Sequence, residues 1–168
     1  QVLLSGPFNP VTTEGRLRLE LSSIDRNTLN LFGAAWGIDF AASKLDAMAL
    51  LDLAKMGNSI NLTGRFQGRE LGVRVGDRVT PPLDLDLDYI VAINLEEKNF
   101  KLSRLAVNGT SGGQPLLTAS LTEAMLISWG SSAQAFYDSH MEMTVTNLDL
   151  ARWSAFLGPQ PPLGRVSA

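Results

Sequence analysis

The 168-residue sequence contains no cysteine and a single histidine, His140. The first absence removes disulfides, thiolate metal sites and cysteine nucleophiles together, and the second removes any site that needs two imidazoles. No cofactor and no metal are expected. Charge is sparse as well: 18% of residues are charged, 14 basic against 17 acidic, for a net charge of −3. Nothing in that balance supplies a basic face able to displace counterions from phosphates, so nucleic acid is not an expected partner. Long apolar runs are also missing. The longest uncharged stretch, Leu105 to Thr122, is interrupted by Asn108-Gly109-Thr110-Ser111-Gly112-Gly113-Gln114-Pro115, and a membrane helix needs ~20 mostly apolar residues. Gln1 to Ser5 lacks the basic start of a signal peptide, and Gly164 to Ala168 reads like the start of a strand. The expectation is a fragment or processed chain, with any membrane anchor outside it.

What the sequence does have is hydrophobicity, 45% of residues, arranged with a period of two. The longest example is Leu83, Leu85, Leu87, Tyr89, Val91, Ile93 and Leu95, alternating with Asp84, Asp86, Asp88, Ile90, Ala92 and Asn94. A helix would scatter these leucines around its circumference, so the spacing predicts a long strand with one apolar face. Leu17, Leu19 and Leu21 alternate with Arg16, Arg18 and Glu20. Leu29 and Leu31 follow the turn-forming Asp25-Arg26-Asn27 and read as a short strand. Lys44 to Met56 is rich in leucine and alanine, but Asp46 and Asp52 interrupt any helical face and Gly57-Asn58 closes it like a hairpin, so it too reads as strand.

Further on, Ile60, Leu62 and Phe66 alternate with Asn61, Thr63 and Arg65, with Gly64 as a candidate bulge. After a turn at Glu96 to Asn99 the apolar phase runs Phe100, Leu102, then Leu105, Val107, a slip that requires a β-bulge at Ser103-Arg104. Leu117, Ala119 and Leu121 continue the series, and Met141, Met143 and Val145 form the last strand. One short helix is expected at 149–157, capped by Asp149, with Leu150, Trp153 and Leu157 on one face and Gly158-Pro159 as the stop. Pro159 to Pro162 then reads as a loop. Residues 16–56 and 83–129 repeat one another loosely, as two units of hairpin plus third strand would, though amphipathic strands match this far by patterning alone. The whole chain, 1–168, reads as one β-rich domain.

Two motifs invite a chemical reading. Gly109-Thr110-Ser111-Gly112-Gly113 matches G-x-S-x-G, which makes a nucleophile only at a sharp strand-to-helix turn. Here another alternating segment follows, so a hairpin explains the glycines, and the one candidate base is His140, between Asp138 and Glu142. Asp84, Asp86 and Asp88 share a strand face, but i to i+2 spacing of ~6.6–6.8 Å cannot converge three carboxylates on a cation. They read as a solvated face that discourages pairing at a sheet edge. Asn61-Leu62-Thr63 and Asn108-Gly109-Thr110 fit the glycosylation pattern at the frequency chance allows.

From Leu83 to Leu157 the chain resembles the C-terminal region of AsmA-like envelope proteins. The matching stretches are Leu85-Asp86-Leu87-Asp88-Tyr89, the hairpin at Lys98-Asn99, Gly112-Gly113-Gln114-Pro115-Leu116-Leu117-Thr118-Ala119-Ser120-Leu121, and Asn147-Leu148-Asp149-Leu150-Ala151-Arg152-Trp153. The resemblance implies an elongated, incompletely closed antiparallel sheet, folded like a taco around an apolar groove, with one short helix near the C-terminus. It also implies kinship with bridge-like lipid-transfer proteins and with TamB-like proteins of outer-membrane assembly. Phospholipid acyl chains and envelope membrane proteins are then the expected partners, and the periplasm the expected location.

The groove residues under this reading are Leu17, Leu19, Leu21, Leu83, Leu85, Leu87, Tyr89, Val91, Ile93, Leu95, Met141, Met143 and Val145. A structural β-module that pairs its edges with partner strands is the alternative. An enzyme would have only Ser111 and His140 to work with, and none is expected.

Overall fold

The computed structural model describes residues 1–33, 39–75, 78–129, 135–136 and 139–153. It is mostly β. Two short edge pieces, β1 (Val2–Ser5) and β2 (Phe8–Asn9), precede β3 (Glu14–Ile24). After α1 (Arg26–Gly33) and β4 (Asp39–Phe40) come the long hairpin partners β5 (Lys44–Ala54) and β6 (Ser59–Leu71). A small excursion, β7 (Val73–Val75) and β8 (Arg78–Val79), leads into β9 (Leu83–Asn94) and β10 (Asn99–Ser111). The chain ends its strands with β11 (Gln114–Leu121), β12 (Met125–Ser128), β13 (Ala135–Phe136) and β14 (Met141–Val145), then α2 (Leu150–Trp153).

The main sheet is a meander in sequence order, β1-β3-β5-β6-β9-β10-β11-β14, antiparallel throughout and not closed. Seven gaps at the ~4.8 Å inter-strand spacing make it roughly 34 Å wide. Its long strands obey the period-two pattern read from the sequence, and the expected strands at Lys44 to Met56 and Leu83 to Leu95 are present as β5 and β9. The predicted bulge is there too: the β10 register to β9 slips between Leu102 and Arg104. The slip has a structural purpose. Before it β10 pairs with β12, after it with β11, so a bend falls where the neighbouring strand breaks.

Four expectations are corrected. Leu29 and Leu31 belong to a helix, α1, rather than a strand. The Asp25 carboxylate accepts the Thr28 N–H at 3.0 Å, and that cap stabilises the first turn. Gly64 is not a bulge; its pairing to Ala49 and to Tyr89 is unbroken, and the Tyr89 ring lies across it. A Cβ at Gly64 would stand 2.3 Å from Tyr89 Cζ and Oη, so the glycine makes room for the aromatic ring. Asp84, Asp86 and Asp88 protect no edge, because β9 runs between β6 and β10 in the sheet interior. The loose repeat aligns Asp25-Arg26-Asn27 with Lys98-Asn99, each before a strand, but Arg26-Asn27 opens a helix whereas Lys98-Asn99 turns into β10.

A different duplication is visible in the backbone. β3 and β6 both end in a bulge with one residue at positive φ, Ser23 (54°) and Glu70 (52°). Each bulge N–H is held by an aspartate of the next long strand: Ser23 N–H donates to Asp46 at 2.8 Å and Glu70 N–H to Asp84 at 2.7 Å. Beyond each bulge the chain leaves the sheet, as α1–β4 or as β7–β8, and returns as β5 or β9. The excursions therefore gather at one end of the strands, where β4, β7 and β8 form a second, three-stranded sheet.

Asp149 caps α2 as expected, accepting the N–H groups of Ala151 and Arg152 at 3.1 and 3.2 Å. The remainder of the 149–157 helix, the loop at Pro159 to Pro162 and the strand start at Gly164 lie outside the described residues.

Candidate functional site

The cross-strand register decides which side chains share a face. Val91 stands opposite Leu62 on one side and Leu102 on the other; Leu87 opposite Phe66 and Val107; Leu85 opposite Gly68 and Gly109. The same rows continue through Leu51, Ala49 and Ala47 of β5 to Leu17, Leu19 and Leu21 of β3, and to Leu4 and Val2 of β1. On the other flank they pass through Leu117 and Ala119 of β11 to Val145, Met143 and Met141 of β14. Because successive side chains of a strand alternate, one face carries all of these and no charged residue at any paired position. Across β3, β5, β6 and β9 its one polar group is the Tyr89 hydroxyl.

Twelve of the thirteen residues singled out from the sequence occupy that face within strands. Leu95 is placed differently: it follows the end of β9 in the hairpin turn, 46% exposed, with its N–H donated to the Asn58 carbonyl at 2.8 Å.

Among the described residues no second layer covers the face. Among the described residues only Val91 (9%), Leu102 (9%) and Leu116 (7%) are buried hydrophobics, whereas a sandwich of this length encloses one contiguous core. Exposure rises towards the edges, to 63% at Met143. Contiguous exposed apolar surface of this extent marks an interaction site in a folded protein.

The opposite face carries all the charged side chains of the long strands, largely paired with one another, together with scattered apolar residues such as Met48, Leu50 and Ile90. Arg16 meets Asp52, Arg65 meets Asp88 at 3.2 Å, and Asp86 accepts from Gln67 at 2.7 Å and from Arg69 at 3.0 Å. The Arg69 guanidinium, helped by the Gln67 amide, holds the Asp86 carboxyl below the usual carboxylate range. The three β9 aspartates thus turn to three different sets of partners on β6 and do not converge.

Nor are the two groups of the hydrolase motif brought together. Ser111 ends β10, its hydroxyl donating to the Pro82 carbonyl at 3.0 Å. Gly112 (φ 59°) and Gly113 (φ 76°) supply the two positive-φ positions of a tight hairpin. His140 stands at the far end of β11, beside the Leu121–Met141 pair, roughly 20 Å away along the strand. Its carbonyl accepts the Thr122 N–H at 2.9 Å.

Sequence reasoning missed a recess at the strand end where the excursions gather. Leu45, Phe66 and Leu83 form its floor, and Leu29, Phe40, Val73 and Trp153 stand around it, enclosing about 450 Å³. Phe40 and Val73 sit in strands of two and three residues, too short to show any period. Asp149, as the cap that places Trp153, was the one local signal pointing there.

Among the described residues no helix is long and apolar enough to cross a membrane. Comparison with protein-family models, curated proteins and solved structures found no match.

Proposed function

We propose that this chain is a lipid-binding β-sheet segment whose apolar face holds phospholipid acyl chains. In this reading it belongs to an AsmA-like envelope protein of the periplasm and takes part in moving phospholipid between inner and outer membranes. The observation that carries the proposal is the uncharged face running from β1 to β14, over which the described residues lay no second layer. Water on that face is unfavourable by ~25 cal/mol per Å² of apolar surface, and acyl chains would replace it without asking for a single hydrogen bond. Strands of 11–13 residues give the face a length of roughly 40 Å, longer than the ~15 Å depth of one membrane leaflet, so whole chains fit along it.

Native mass spectrometry of the purified chain tests this directly. Adducts of phospholipid mass are expected. A folded chain that takes up no lipid after detergent-free exchange with vesicles would leave the apolar face for another protein.

One observation favours that second reading, an interaction module of outer-membrane biogenesis without lipid cargo. Among the described residues both flanks of the sheet are open: β1 pairs only with β3, and β14 only with β11, and each presents an unpaired row of backbone groups. Strand addition at either flank would extend the sheet.

A further inference from the structure

The recess beneath the excursions differs chemically from the rest of the molecule. Its floor, Leu45, Phe66 and Leu83, is continuous with the apolar face through Ala47, Gly64 and Leu85, the next residues on the same side of β5, β6 and β9. Its walls bring Leu29, Phe40 and Trp153 over that floor from α1, β4 and α2. Among the described residues no charged side chain lines it.

The polar atoms at its margin already have partners. Val73 N–H donates to Thr80 Oγ1 at 2.9 Å, and Thr80 N–H to the Val73 carbonyl at 3.0 Å. Gly72 N–H donates to Ser43 Oγ at 3.1 Å, and the Ser43 hydroxyl returns to the Gly72 carbonyl at 3.3 Å. Gly68 adds to the arrangement: a Cβ there would stand 2.4 Å from Leu71 Cδ1, so the glycine leaves room for the Leu71 side chain, which itself lines the recess.

A volume of about 450 Å³ falls within the ~300–1,000 Å³ range of small-ligand sites. Its chemistry excludes most ligands. A phosphate or ammonium head group would lose its hydration and gain no partner. Ordered water needs 2–4 polar partners, and the atoms that might serve are bonded to one another. What remains compatible is saturated hydrocarbon.

We propose that this recess receives the methyl end of a lipid tail whose remaining length lies on the open apolar face. The inference rests on the lipid-binding reading given above. It adds an orientation: tail ends at the excursion end of the strands, head groups away from it.

The test uses Trp153 as a reporter. The chain carries three tryptophans, so Trp36→Phe and Trp129→Phe together leave Trp153 alone. Phosphatidylcholine brominated at the chain ends is compared with the same lipid brominated near the glycerol. Chain-end bromine is expected to quench Trp153 at least threefold more than glycerol-proximal bromine. Equal or reversed quenching with lipid demonstrably bound would overturn the recess as a tail-end site and leave the lipid-binding reading standing. Absence of bound lipid would remove both.

A second measurement needs no substitution. In the parent chain, lipid spin-labelled at the chain end should broaden methyl signals of Leu45 and Leu83 before those of Leu19 and Met143, and the opposite order would refute the orientation.

Discussion

On the polar side of the sheet, neighbouring long strands are tied by identifiable pairs: Arg16 to Asp52 between β3 and β5, and Arg65 to Asp88 and Arg69 to Asp86 between β6 and β9. On the other side the same strands present leucine, isoleucine, valine, alanine, glycine, phenylalanine and one tyrosine. The ion pairs are largely solvated, and exposed pairs of this kind contribute ~0–1 kcal/mol each. Their value lies in register. A slip of one residue in a strand would carry its aspartates and arginines to the apolar side and its inward leucines to the polar side, and the cross-strand pairs penalise that slip at several points at once. The polar face therefore specifies the alignment that keeps the other face free of charge.

The sharpest way to break this contrast is to put a charge on the uncovered side. Leu87 stands in mid-sheet between Phe66 and Val107. In a dry core Leu87→Asp would bury an unpaired carboxylate, cost several kcal/mol and prevent folding. On an open face the carboxylate stays hydrated in the lipid-free chain. The expected result is a folded protein by circular dichroism whose co-purified lipid falls tenfold or more. Unfolding of Leu87→Asp would show the face to be closed, and undiminished lipid would remove it as the binding surface.

The second prediction concerns the point where a large ring crosses the small-residue floor. Gly64→Val places side-chain carbon where the Tyr89 ring now lies, and overpacking of this kind costs ~1–3 kcal/mol. In a Tyr89→Ala background the same substitution should cost at least ~1 kcal/mol less, measured by a double-mutant cycle in urea. Equal costs in the two backgrounds would mean that the ring and the glycine are not coupled.

How much of this was legible in the sequence depends on how local the signal was. β9, the Ser103 bulge and β14 could be read because alternation and its phase slip are written within one strand. α1 could not, since Leu29 and Leu31 alone fit a strand, and the deciding feature is a capping bond that Asp25 accepts from the Thr28 N–H, which a turn also favours. Gly64 looked like a bulge because its reason, the Tyr89 ring, is on another strand. The aspartates of β9 looked like edge protection because strand order depends on the chain returning beside β6 after β7 and β8. The shared apolar face was legible strand by strand, and the recess was not, because its walls come from the shortest elements.

The two bulges offer a smaller test, of whether the β3–β5 and β6–β9 units are built alike. Asp46 holds the Ser23 N–H and Asp84 the Glu70 N–H in the same way. Asp46→Ala and Asp84→Ala should each cost about 1 kcal/mol, the net worth of one such hydrogen bond, and the double substitution should be additive. Chemical denaturation measures all three. A cost confined to one of them would show that only that excursion depends on its bulge.

The smallest effect expected is the pH response of the polar face. The hydrogen bonds from Arg69 and Gln67 favour the ionised form of Asp86 and lower its pKa in the folded chain relative to the unfolded one. Between the two values the unfolded chain binds more protons than the folded one, so stability rises with pH across that window. The contribution is complete above the ordinary carboxylate value near ~4 and is lost as pH falls through the depressed folded value. About a third of the Asp86 side chain is exposed, so solvent screens the pair and the whole effect should stay under ~1 kcal/mol. Asp86→Asn keeps a hydrogen-bond acceptor and removes the titration, so its urea midpoint measured from pH 6 down to pH 3 should fall less steeply than that of the parent. Lipid occupancy at pH 7 should be unchanged, because Asp86 faces away from the apolar side. A drop in lipid content in Asp86→Asn would mean that the two faces are not independent, and the division of labour between them would have to be given up.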